Sequence, residues 1–229
     1  MPVRIEPGVN YMRLRQLADE FTQHWNRLQA FYLDAVVGFD LVRGHVMEEQ
    51  KQARSFVQGT DLDSEEFQDT RMFTYTGILS EEFCTSGIHR ATQGEVKARN
   101  KIDGENYTTL GQLCVVSFCA FWNDYLRREY VIAKGQLDPD EQDKEVVQER
   151  LRLHGSHDLW GDLNYLRNSI VHKQGVATSE TARCKLIKWF NPGDLVTITP
   201  ERMRAIFLAL LGYRNQLDKE QYPEHYIQL

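Results

Sequence analysis

Apolar residues first recur as Tyr11, Leu14, Ala18, Phe21, Trp25, Leu28, Tyr32, Ala35, Phe39, Val42 and Val46, with gaps alternating between three and four. That period is helical and predicts one helix over 11–46, with a kink or break near Gly38 and Gly44, where glycine weakens the turn. Such a seam either packs on the chain's own core or pairs with another chain as a coiled coil. From 58 to 106 the pattern dissolves into short helices and loops, with Ser64 and Ser80 as N-caps because each precedes two glutamates. A second long helix is predicted over 108–133, burying Leu110, Leu113, Phe118 and Phe121 and stopping at Gly135. Asp138-Pro139-Asp140-Glu141 reads as the start of a third helix that ends near His154. Ser156 then reads as the cap of a helix carrying Leu159, Leu163, Leu166 and Ile170 at gaps of four, three and four, with Gly175 as its stop. Segments 185–190 and 195–199 flank Asn191-Pro192-Gly193-Asp194 as a small β-hairpin, and Thr199-Pro200-Glu201 opens a closing helix.

The fold class this predicts is all-α, a helical bundle with a long N-terminal helix and one small β-hairpin insert. Residues 8–138 contain no proline, which favours the same assignment. With 229 residues, 41% of them apolar, the chain can bury a core without staples. Its four cysteines include no Cys-x-x-Cys pair and read as reduced thiols of a cytoplasmic protein. The start contains no run of seven apolar residues, and the longest apolar stretch, 113–122, spans ten, so neither a signal peptide nor a membrane helix is expected. The net charge of -6 has the wrong sign for coating a nucleic acid, so any RNA contact requires a local basic patch.

Candidate chemistry concentrates at Arg167-Asn168-Ser169-Ile170-Val171-His172. An Arg-x4-His spacing alone says little: 18 arginines and 7 histidines in 229 residues give about half a match by chance. A second match, Arg152 to His157, is interrupted by Gly155 and Ser156 and serves as a decoy. His172 suits proton transfer, since imidazole titrates near neutrality, and the permanently charged planar fork of Arg167 suits a phosphate. Positions five apart differ by about 140° around a straight helix, so the two side chains are not expected to meet on one helix. Asn168 lies four before His172, on its face, and is expected to orient the imidazole. On the preceding helix Arg127 and Arg128, with Lys173, are candidate RNA-binding cations, and Asp124 or Asn123 candidate polar support. Trp122 and Tyr125 are candidate base platforms, although core packing is their more ordinary use. No His or Cys has metal-ligand spacing, so neither a metal nor another cofactor is expected.

The apolar stripe around this pair, the Asn directly after Arg and the Gly175 stop resemble the signature helix of the HEPN superfamily. The resemblance covers roughly 108–217. It implies an HEPN-like core over 107–220, with 1–106 a helical region packed on it. It further implies a metal-independent endoribonuclease, a toxin or defence effector acting on single-stranded or transfer RNA. Arg167 and His172 would then be catalytic, in a homodimer that brings two motif helices together, with a protein inhibitor as a candidate partner. The chain departs at Gln174, where toxins paired with nucleotidyltransferase antitoxins often carry tyrosine. Two alternatives stand beside this reading. One is a non-catalytic HEPN module binding a nucleotide or protein, indicated if Arg167 and His172 lie apart or are buried in ion pairs. The other is a scaffold assembling through the 11–46 seam.

Overall fold

The computed structural model describes residues 8–73 and 91–221, with side chains to 217. Of the described residues 73% are helical and 3% lie in strands. The all-α expectation therefore holds, and no helix among the described residues is long and apolar enough to cross a membrane. The helices are α1 (Tyr11–Phe56), α2 (Glu65–Thr70), α3 (Gln93–Arg99), α4 (Glu105–Phe121), α5 (Arg127–Ala133), α6 (Lys144–His154), α7 (Asp158–His172) and α8 (Pro200–Gln221). A π-turn, Trp122–Leu126, joins α4 to α5.

The chain divides into two compact units, Tyr32–Leu110 and Met1–Phe31 with Gly111–Leu229. Residues 8–31 belong with the second of these units, because Leu14, Leu17, Ala18 and Phe21 are buried there, Phe21 edge-on to Trp160 and Tyr213. Helix α1 is continuous through Gly38 and Gly44, against the expected break. A Cβ at either glycine would meet nothing within 4 Å, so no neighbour forces a kink there.

In the unit Tyr32–Leu110, Val46, Phe73, Ala91 and Val96 form a core cluster with Val42 against it. Ser64 caps α2 as expected, its hydroxyl accepting from Phe67 N–H, and Thr92 with Glu95 forms a capping box on α3. The two-stranded antiparallel ladder lies here, β1 (Met72–Phe73) against β2 (Ala91–Thr92). Ser80 lies outside the described residues.

The other unit corrects two expectations. Asp138 does not open α6: its carboxylate accepts from Asp140 N–H in a turn, and Asp143 is the cap, accepting from Glu145 and Val146. Residues 185–190 do not pair with 195–199. The turn at Pro192-Gly193 forms, Gly193 at φ +95°, but Leu195 bridges to Val176 across it. What holds 184–187 instead is Asp162, buried on α7, whose carboxylate accepts from the N–H groups of Lys185 (2.9 Å), Leu186 (2.6 Å) and Ile187 (2.8 Å). A side chain has taken the place of a ladder. Beside it the buried Cys184 thiol is pushed up to about 12 by burial and by the Asp162 charge.

Removing a buried acceptor of three N–H groups leaves all three unsatisfied. Asp162→Ala should therefore lower unfolding stability by about 3–5 kcal/mol, read as a reduced urea midpoint, whereas Asp158→Ala on the exposed face should change it by under about 1 kcal/mol. Equal midpoints for the two variants would refute this role.

Candidate functional site

Helix α7 carries the candidate chemistry and is fixed at both ends. At its start His157, not Ser156, is the cap: Nδ1 of its ring accepts from Leu159 N–H at 3.2 Å, and the ring lies 4.8 Å from that of Tyr213. Leu159, Trp160, Leu163 and Leu166 bury the inner face, Trp160 stacked on Trp122 at 4.7 Å. At the other end Gln174 (φ +52°) and Gly175 (φ +79°) turn the chain out of the helix, and both Lys173 and Gly175 donate to the Ser169 carbonyl. The segment beyond is held by 193–196: Ala177 donates to Asp194 O, Gly193 to Ala177 O and Val196 to Gly175 O, all within 2.7–2.8 Å. His172, the last helical residue, thus stands exposed on a fastened corner.

Arg167 and His172 meet, contrary to expectation. Nη1 of Arg167 lies 3.1 Å from Nε2 of His172 and 3.2 Å from Oδ1 of Asn168. The 140° separation holds for Cα positions, but an arginine is long enough to wrap part of the helix circumference. A guanidinium only donates, so Nε2 must accept, and the ring proton in this pairing belongs on Nδ1. Asn168 holds the guanidinium rather than the imidazole, which corrects the role expected of it. Arg167 also lies close enough to the buried Cys119 to oppose burial, which pushes that thiol up to about 12.

The remaining candidates separate. Arg127 donates through Nε to Gly155 O (3.0 Å) and through Nη2 to Leu151 O (2.9 Å), capping the C-terminus of α6, and burial lowers its affinity for its proton. Arg128 donates to Pro139 O and Glu141 O. Both expected RNA-binding arginines are thus engaged with backbone carbonyls. Lys173 is exposed and lines, with His172, Gln174, Val176, Ala177 and Thr178, an open depression of about 490 Å³. Asp124, the other candidate for polar support, is exposed on the π-turn, and no hydrogen bond or ion pair among the described residues joins it to Arg167 or His172. Trp122 is buried in the aromatic core and offers no platform, while the Tyr125 hydroxyl donates to Glu20 and accepts from Arg13. Of the decoy pair, His157 is a cap and Arg152 is exposed on α6.

Two features were missed in the sequence: the Asp162 anchor, and a reciprocal amide pair in which Asn123 donates to Asn164 at 2.6 Å and Asn164 to Asn123 at 3.4 Å. The second joins positions 41 apart in sequence, so no local spacing signals it. Among the described residues no group of three His, Cys, Asp or Glu is placed to hold a metal. Residues 32–110 contain 14 acids and 8 bases, so the whole net charge of -6 falls in that unit and the unit carrying Arg167 and His172 is balanced. A cavity of about 810 Å³ in the acidic unit holds Lys97 and Arg54, already paired with Asp69 and Asp63. No family model, curated protein or solved structure matches the chain.

The pairing makes a spectroscopic claim. At a pH where His172 is neutral, its ¹⁵N shifts should report the Nδ1–H tautomer, and Arg167→Ala should relax the balance towards Nε2–H. A wild-type ring already in the Nε2–H form would show that the arginine does not donate to it.

Proposed function

We propose that the chain is a metal-independent endoribonuclease of HEPN type, a toxin or defence effector acting on single-stranded or transfer RNA. The observation that carries this reading is the 3.1 Å approach of Arg167 Nη1 to His172 Nε2 at an exposed helix end. One group moves protons and the other binds phosphate, and they stand together where an RNA backbone can reach them. Separation or burial in ion pairs would indicate the non-catalytic alternative; here the two groups stand together and His172 is exposed. The scaffold alternative would be indicated by the 11–46 seam serving as an oligomer interface; within this chain each seam position is buried or half-buried.

In the proposed reaction the scissile phosphate draws the Arg167 fork onto its oxygens and frees Nε2. The imidazole takes the 2'-hydroxyl proton, the 2'-oxygen forms a bond to phosphorus, and the bond to the 5'-oxygen breaks, leaving a 2',3'-cyclic phosphate. The leaving oxygen takes a proton from an imidazolium, and Arg167 stabilises the charge on the pentacoordinate phosphorus. A homodimer belongs to this proposal, since a second copy would supply a second histidine. Val171, Val176 and Leu195, 37–64% exposed around His172, are the apolar margin it would cover.

Purified protein should cut single-stranded RNA in EDTA and leave cyclic phosphate ends, with DNA intact. His172→Ala and Arg167→Ala should each lower kcat/KM by about 10²-fold or more, and the double variant should lose little further. Asn168→Ala should fall between, since it loosens the guanidinium. Arg152→Ala should cut normally. Undiminished cleavage by His172→Ala would refute the proposal.

A further inference from the structure

The α4–α5 junction and α7 present a polar element that the reaction above does not use. Asn123 stands on the π-turn, the one place where the α4–α5 path departs from α-helical spacing, and π-turns concentrate at functional positions. Its neighbour Trp122 is pinned in the core against Trp160, so the turn projects Asn123 to solvent beside α7. There it exchanges amide hydrogen bonds with Asn164. Asn164 lies three residues before Arg167, about 5–6 Å between Cβ atoms on the same helix face. One turn earlier Gly161 is exposed, and a Cβ built on it would meet nothing within 4 Å. The α7 face therefore runs from an open shelf, past a pair of carboxamides, to the guanidinium and the imidazole.

We propose that Asn123 and Asn164 are the specificity-determining residues of this site and read the base next to the scissile phosphate, with the base lying over Gly161. This rests on the ribonuclease reading for the phosphate's position. Each amide pairs a carbonyl acceptor with an N–H₂ donor, and the two satisfy one another in the free protein. When the pair opens, either amide presents a fork to a base edge. An asparagine fork matches adenine bidentately, accepting from the N6 amine and donating to N7. Guanine, with acceptors at both O6 and N7, leaves the amide oxygen unpaired on that edge. The expected preference is for adenine beside the cut.

The test uses the 229-residue chain and single-stranded oligonucleotides of one sequence in which the base flanking a mapped cleavage site is adenine, guanine or uracil. Wild-type protein should favour adenine, and Asn164→Ala and Asn123→Ala should each lower the adenine-to-guanine ratio of kcat/KM by about tenfold. Gly161→Leu, which fills the shelf without touching an amide, should lower cleavage at adenine through KM. Far-UV spectra confirm that each variant folds. A base preference unchanged in all three variants overturns the proposal, as does a wild type without preference. If wild type cuts no RNA, the ribonuclease reading fails separately. Anisotropy with labelled oligoadenylate and oligoguanylate then decides this one: binding biased to adenine and levelled by Asn164→Ala supports it, and equal binding overturns it.

Discussion

The structure around α7 depends on buried polar groups answering backbone N–H groups that no ladder or helix satisfies. Asp162 and Ser169 lie on the inner face of α7 among Leu159, Leu163 and Leu166, at 2% and 0% exposure. Asp162 accepts three N–H groups from the segment arriving at 185–187, and Ser169 accepts Lys173 and Gly175 through its carbonyl and Thr178 through its hydroxyl. An apolar residue at 162 would bury as well but would leave three donors unanswered, a cost exceeding the gain from one buried side chain, and one at 169 would keep the carbonyl bonds but leave the Thr178 N–H unanswered. These two residues therefore decide where the chain runs after the helix, and the path after the helix fixes His172.

From that constraint the geometry of the outer face follows. Because α7 can turn neither about its axis nor along it, the positions opposite the buried stripe, Gly161, Asn164, Asn168 and His172, form one solvent-facing row. Arg167 lies at the edge of the row and is half-buried, with Cys119 beneath it. Its aliphatic stem follows the helix surface while its head is shared by Asn168 and His172. A guanidinium already oriented by two acceptors loses less rotamer freedom when a phosphate replaces one of them.

The parts legible in the sequence were those fixed by periodicity or by a residue acting on its own backbone. The α1 seam, the α7 stripe, Ser64 as cap, Pro200 at a helix start and Gly175 as a left-handed stop are all local. What could not be read depends on partners distant in sequence. Asp138 and Asp143 are equally good caps locally, and Asp138 is drawn into its own turn with Asp140. The 185–199 stretch has a strand-like pattern and a genuine turn, but Asp162, more than twenty residues away, takes the donors a ladder needed. Arg127 and Arg128 resemble a basic patch by composition. The carbonyl ends they cap belong to α6 and to the loop before it, which only the fold brings near. On α7 helical projection separates Arg167 from His172 because it tracks Cα positions and ignores six bonds of side chain.

Charge completes the physical picture of the site. With Arg127 and Arg128 engaged, the cations at the α7 C-terminus are Arg167 and Lys173, and a polyanion held there gains little from long-range attraction by a unit of zero net charge. Affinity at such a site has to come from short-range contacts: a bidentate phosphate fork, amide edges and shape. Those contacts are directional, so under the proposed function a site poor at collecting RNA in general would still discriminate among the strands that reach it. On the ribonuclease reading proposed above, selectivity would belong to the amide row of α7 and the π-turn rather than to the surface field of the protein.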